Sequence, residues 1–503
     1  MDDLKTTIET LSEEDAREFV QFMQRLKKKK NRKDVELFKL LLQKKKYPPQ
    51  ELIQKLYPED PNNTAYYALR KRLMQHLTEF IMLKRMAEDP TASSTVMGLL
   101  SLAQYLFDAQ ADRLAWNMLR KAEKIAQQNE QCELLNAVYN LQIENANRPA
   151  ADDLNAIILK WKANKQNADE DERANIASSL IYQRLEQAKK EGRFLQFEAT
   201  MLEVLHLYGL TNAVSRRPSL LYKLMQITRS AVLATKDFYS FETYILGQYQ
   251  HAMATHGFSK AQQFYKVSLL YMIAHVLYRT RKFQKSNQYL EDLHQALQHE
   301  AKPYFAAFYT KYIFLKSANE AFLKNLPQAI LALEDLLKTK INLLQPRDML
   351  TARLGLSFLY FASGQFQKAN NTLVYINRSD RWCEKLMGRE WVLKKKLGEL
   401  IIQYEFGNPD LALEQIKGIK RHYADVLEQP LYKNAFMFLL LLEQLFLQPD
   451  VASKKAFLQQ VEESLDFEAN QQEDLPSMSF YAWLKSKMVN RPYYDVLLEL
   501  ATA

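Results

Sequence analysis

The side chains that could do chemistry in this chain are thinly spread, and their spacing decides what they can do. His299-Glu300 opens like a zinc-protease motif, but Ala301, Lys302 and Pro303 follow. The second histidine one helical turn later, which completes a metal-binding face, is missing. His251 and His256 stand five apart, a poor spacing for one face of a helix. Asp169-Glu170-Asp171-Glu172 places four carboxylates in a row. With a helix expected to begin near Ala174, they suit the positive end of its dipole better than acid–base work. Cys132 and Cys383 lie 251 residues apart, so they imply neither a disulfide framework nor a close-set thiolate zinc site, and reduced, partly buried thiols are expected. No two of the 11 glycines are closer than nine residues. The glycine-rich loops that cradle phosphates therefore cannot form in their standard spacing. The expected catalytic, cofactor-binding and metal-binding sets are all empty, and the sequence reads as a non-enzyme.

The elements that must position any remaining site are helices. Gly (11) and Pro (15) are scarce in 503 residues, against about 7% and 5% in average proteins. Leu, Lys, Gln, Glu and Ala dominate long stretches and favour helix. The apolar share of 47% and charged share of 25% are those of an ordinary packed protein, so the fold class expected is all-α. The longest apolar run, Ala435 to Leu442, is eight residues long. A membrane span needs roughly 18 or more, so a buried helix and no membrane span are expected. The opening MDDLKTTIET is acidic and polar, unlike a secretory signal, and a cytoplasmic location is expected.

A period organises the middle of the chain. KFQKSNQYLEDL from Lys282, NLPQAILALEDL from Asn325 and QFQKANNTLVYI from Gln365 share a bend followed by an amphipathic helix, anchored at Phe283, Leu326 and Phe366. The same phase extends to Asp112, Asp153, Phe194, Phe238 and Pro409, with spacings of 41, 41, 44, 45, 43, 40 and 43. Three residues past the anchors stand Ala115, Ala156, Phe197, Phe241, Ser286, Ala329, Ala369 and Ala412. Six of these eight are small, which suits a close helix crossing. Each period holds two helices of roughly 15 to 18 residues with short connections. One hairpin cannot bury both apolar faces, so stacking is required. The expectation is a superhelical solenoid of about eight or nine hairpins over residues 96–470, with residues 471–503 closing its open end.

Within LTARLGLSFLYFASGQFQKANNTLVYI, Leu356, Ser357, Tyr360, Gly364, Phe366, Ala369 and Leu373 fall on the pattern of a tetratricopeptide repeat, which the segment resembles. Arg353 and Arg381 depart from it, and the period of about 42 residues exceeds the usual 34 or so. The resemblance is to the broader tetratricopeptide-like superfamily, and it implies a right-handed superhelix. It also implies that the first helix of each hairpin lines a concave groove. That places Tyr271, His275, Tyr278, Arg279, Lys311, Phe314, Phe358 and Phe361 as candidate groove residues, aromatic and cationic groups of the kind that anchor interfaces. Packing between hairpins is the alternative role for these aromatics.

Residues 1–90 differ. Arg25 to Lys46 alone carries 11 Lys and Arg against Asp34 and Glu36, which equals the whole chain's net charge of +9. Helices are expected at Ser12 to about Lys30, Lys33 to Lys45, Pro49 to Leu56 and Thr64 to Met86. The segment ELIQKLYPEDPNNTAYYALRKRLMQHLTEFI is similar to the helix-turn-helix of winged-helix regulators. Its second helix presents Tyr66, Tyr67, Arg70, Lys71 and Arg72 near its start, where a recognition helix reaches bases, with Lys27, Lys28, Lys29, Lys30, Lys44, Lys45 and Lys46 available for phosphates. No β-rich pair follows Met86 to form a wing. The alternative is a solvated basic surface over an amphipathic helix that turns Leu69, Leu73, Leu77 and Phe80 inward.

The function expected is a scaffold or adaptor that binds a protein or peptide in the repeat groove. A regulator that binds nucleic acid through residues 1–90, with the repeats as sensor, is the alternative, and a structural subunit of a large assembly a further one. No cofactor and no small-molecule ligand is expected.

Overall fold

The computed structural model describes residues 3–11, 13–26, 32–43, 47–59, 61–89, 91–190, 197–211, 216–235, 238–299, 301–339, 344–428, 432–465 and 475–502. Among them the structure is all-α, with no strand. The chain forms two compact units, Met1–Asn164 and Lys165–Ala503, and the division falls inside one long helix.

In the first unit, α1 (Asp3–Glu9), α2 (Glu13–Leu26), α3 (Lys33–Leu42), α4 (Pro49–Leu56) and α5 (Asn63–Glu88) pack around one core. Helix α4 starts with proline, whose missing N–H costs nothing at a first turn. Helix α5 starts where the Asn62 side chain accepts a 2.9 Å hydrogen bond from the Ala65 amide. The expected inward row is buried: Leu69, Leu73, Leu77 and Phe80 meet Phe19 and Phe38, whose rings cross at 4.8 Å. Helix α1 was not anticipated; its two buried residues, Leu4 and Ile8, are one turn apart and too few to stand out in the sequence. Helices α6 (Ser93–Asp108), α7 (Asp112–Gln128), α8 (Cys132–Glu144) and the start of α9 (Leu154–Lys190) form a second core around the fully buried Trp116.

The second unit continues through α10 (Phe197–Leu207), α11 (Pro218–Thr235), α12 (Phe238–Thr255), α13 (Gln263–Arg279), α14 (Phe283–Gln298), α15 (Phe305–Phe322), α16 (Leu326–Thr339), α17 (Pro346–Ala362) and α18 (Phe366–Val374). It ends with α19 (Asp380–Met387), α20 (Arg389–Glu405), α21 (Pro409–His422), α22 (Ala424–Leu427), α23 (Lys433–Leu447), α24 (Lys455–Ser464), α25 (Leu475–Val489) and α26 (Tyr493–Thr502). Consecutive helices pack on one another, the packing order a helical repeat requires.

Six of the sequence anchors, Asp112, Phe238, Phe283, Leu326, Phe366 and Pro409, are first residues of helices. Asp153 stands just before α9 and accepts a hydrogen bond from the Ala156 amide, while Phe194 lies outside the described residues. The bends before five anchors are one turn repeated. Three residues join each helix pair, and the middle one, Gln110, Arg281, Lys324, Gly364 or Gly407, has a left-handed backbone with φ from 57° to 75°. The next amide then donates back five residues, as in Lys282 to Leu277, Asn325 to Glu320 and Gln365 to Tyr360, at 2.8 to 2.9 Å. This closes the preceding helix. The small residues behave as expected at most positions. Ala115, Ser286, Ala329, Ala369 and Ala412 are fully buried. Hydroxyls bridge three of these crossings over twelve residues, from Ser286 to the Ala274 carbonyl, Ser317 to Ala329 and Ser357 to Ala369, at 2.7 to 2.9 Å. Ala156 is exposed, so that weak match does not mark a close crossing.

The acidic run Asp169 to Glu172 lies inside α9 and does not precede a helix. Glu170 and Asp171 are buried against arginines: Arg217 donates to both Asp171 oxygens at 2.9 and 3.0 Å and Arg216 to Glu170 at 2.7 Å. Their work is structural pairing rather than dipole capping. Cys132 and Cys383 are both buried. Among the described residues no helix is long and apolar enough to cross a membrane.

Candidate functional site

The groove residues expected from the sequence divide between two neighbouring features of the second unit. Tyr278 and Arg279 from α13, Phe314 from α15, and Phe358 and Phe361 from α17 line a cavity of about 520 Å³. Helix α20 completes this wall with Trp391, Lys394 and Gly398. Each wall helix is the first member of its helix pair, and these helices stand side by side because the second members α14, α16 and α18 pack behind them.

The far wall of the cavity comes from the C-terminus. Helices α25 and α26, expected to close the open end of the stack, lie against the earlier helix pairs and supply Ser479, Phe480, Trp483 and Tyr493. The Trp483 indole donates to Glu405 at 2.8 Å, and Lys487 pairs with the same carboxylate at 2.5 Å. Tyr493 stacks edge-on with Phe361 at 5.4 Å, the Tyr494 hydroxyl donates to the Ala321 carbonyl, and Arg281 donates to the Leu500 carbonyl at 3.1 Å. Ala482, Trp483 and Leu484 are all fully buried. Helix α25 is thus buried over most of its surface in this stretch, which the apolar run Phe480 to Leu484 signals. The placement of α25 and α26 was not readable, because the Trp483–Glu405 contact of α25 spans 78 residues and the Leu500–Arg281 contact of α26 spans 219.

The other feature is a charged aromatic face. Tyr271 and His275 sit one turn apart on α13 with ring centroids 6.2 Å apart. Arg229 from α11 lies over the Tyr271 ring at 5.3 Å, and Lys311 from α15 faces the same ring at 5.8 Å and Phe308 at 4.8 Å. Burial pushes the Tyr271 hydroxyl above its usual range, with Arg229 opposing. Lys311 keeps an exposed surface, yet partial burial and the Arg229 cation push its ammonium down, with Asp348 of α17 opposing. Asp348 is itself pushed up by burial, against a hydrogen bond from the Gln345 amide and the Lys311 charge. The Arg229 Nε is buried with no hydrogen-bond partner among the described residues. Four helices thus bring two cations, a tyrosine, a histidine and one acid to one face, an environment suited to an incoming anion. Arg229 and Asp348 carried no sequence signal of their own; each is one of the scattered charges on its helix, beside Lys223 on α11 and beside Arg347 and Arg353 on α17.

In the first unit, Tyr66 is buried and its ring supports Arg70, whose guanidinium donates to the Tyr66 hydroxyl at 3.3 Å. Tyr67, Lys71 and Arg72 are exposed on α5. The lysines at 27–30 and 44–46 lie outside the described residues. No group of three His, Cys, Asp or Glu side chains that could hold a metal occurs among the described residues.

No known protein family matches the chain. No curated protein and no solved structure matches it either. Function here is read from geometry and charge.

Proposed function

We propose that the chain is a non-enzymatic binding scaffold, a tetratricopeptide-like solenoid of about eight or nine hairpins that holds an acidic group of a protein partner at Arg229, Tyr271 and Lys311. The recurring three-residue turn and the small-residue crossings support the repeat reading. The convergence of α11, α13, α15 and α17 on one partly exposed cationic, aromatic face carries the functional one. A partner carboxylate there restores the charge balance that desolvation disturbs, and aromatic and arginine side chains supply the contact energy. The aromatics on the neighbouring first helices meet α25 and α26 instead, so the partner surface is smaller than an open groove running the length of the repeats.

The test is a pull-down with the full chain, wild type against an Arg229→Glu/Lys311→Glu double variant. Loss of roughly tenfold or more in partner retention is expected for removing two interface anchors. Equal retention by a folded double variant would overturn the assignment.

A second reading has its own observation, the exposed Tyr67, Lys71 and Arg72 at the start of α5. It has residues 1–90 bind nucleic acid, and it requires affinity that falls steeply with salt as phosphate counterions are released. Affinity for duplex DNA that is flat between low and physiological salt removes it.

A further inference from the structure

The cavity walled in part by α25 and α26 is a different feature from the charged face. Its volume of about 520 Å³ lies inside the range of roughly 300 to 1,000 Å³ typical of small-molecule sites. Nine of its lining side chains are aromatic, among them Phe314, Phe358, Trp391, Phe480 and Trp483. The charged residues on its wall are Arg279, whose guanidinium lies 4.6 Å from the Phe238 ring, and Lys394, whose ammonium pairs with Glu390 at 2.9 Å, and no acid is among the described lining residues.

Two of its wall positions are glycines inside helices, Gly355 of α17 and Gly398 of α20. Neither has the positive φ that demands glycine. A Cβ at Gly398 would meet nothing within 4 Å, and one at Gly355 would only touch a Leu333 methyl at 3.4 Å. Glycine in a helix interior costs about 1 kcal/mol relative to alanine, so neither backbone nor packing accounts for these two. What they share is that a side chain at either would project toward open cavity. A stabilising side chain is absent at two positions of the same wall, and the volume stays open.

We propose that this cavity is a binding site for a small, apolar, ring-bearing organic acid. Its rings lie among the aromatic walls and its acidic group is directed to the Lys394 and Arg279 side. Helices α25 and α26 form one wall of the site, whose volume suits a compact molecule. The assignment is independent of the partner face at Tyr271.

The probe is 1-anilinonaphthalene-8-sulfonate, a fused-ring apolar anion, titrated into the full chain with its fluorescence read out. Saturable one-site binding is expected, weakened about tenfold or more by Gly398→Leu, which fills the cavity, with the thermal midpoint of that variant at or above wild type. Gly247→Leu is the control, because Gly247 sits mid-helix in α12 where an added Cβ also meets nothing within 4 Å. It should leave binding unchanged. If Gly398→Leu lowers the midpoint, Lys394→Gln reads the site without filling it, and a loss of about threefold is expected for one partly exposed charge. Absent saturable binding, equal affinity in wild type and Gly398→Leu, equal loss in Gly247→Leu, or an affinity unmoved by Lys394→Gln would each overturn the proposal.

Discussion

Lys324 and Gly364 occupy the same position of the same turn, with φ of 66° and 75°. A side chain there costs about 1 to 2 kcal/mol in local sterics, part of which is regained because glycine loses more freedom on folding. Gly364→Ala, whose Cβ would meet nothing within 4 Å, should lower the unfolding free energy by about 1 kcal/mol, read from urea titration. Lys324→Gly should not lower it. Glu320 tests another single-residue account. Its burial raises the carboxyl pKa, but hydrogen bonds from Asn325, Lys316 and Asn287 outweigh this and hold it below the usual range. A depressed folded pKa contributes stability that is present above the unfolded value of about 4.3 and is lost as pH falls through the folded one. Glu320→Gln should therefore flatten the acid limb of a stability–pH curve below about pH 4 and lower the plateau above it. An unchanged acid limb would show that the three hydrogen bonds do not favour the ionised form.

At the scale of elements, neighbouring helix pairs are joined by polar contacts as well as apolar ones. Asn319 donates to Ser286 at 2.8 Å and to Asn287 at 3.0 Å, and Asn287 passes a 2.9 Å hydrogen bond to Glu320. This ladder ties the α13–α14 pair to the α15–α16 pair and fixes their register, since a slip would leave Asn319 buried without partners. Arg217 does similar work between α9 and the start of α11. Arg217→Met should cost about 3 kcal/mol or more, because the buried Asp171 carboxylate would lose the guanidinium that donates to both its oxygens; a loss below about 1 kcal/mol in chemical unfolding would place that carboxylate in water. The helix pairs were legible in the sequence because each repeats a turn and a small residue at fixed spacing, and the starts at Phe283, Leu326 and Phe366 fall where that spacing puts them. The run Asp169 to Glu172 was misread because acids at a helix start and acids pairing with distant arginines look alike until Arg216 and Arg217 are placed beside them.

For the second unit as a whole, the candidate groove residues lie on the first helices of their pairs, the helices to which the tetratricopeptide-like resemblance assigned them. What the repeat phase does not contain is the return of α25 and α26 against those helices, a contact set more than a hundred residues long in sequence separation. That return separates Tyr278, Phe314, Phe358 and Phe361, which wall a cavity, from Tyr271, His275 and Lys311, which remain on the charged face. The proposed partner site is thereby narrowed to a cationic patch, and its chemistry suggests the measurement. Zero-length carbodiimide joins an amine to a carboxylate only when the two are in contact, so it should link Lys311 of the full chain to an aspartate, a glutamate or the C-terminus of the captured partner. Recovery of that cross-linked peptide is the predicted result. Partner cross-links that run through Lys71 and never through Lys311 would contradict the account and place binding on α5.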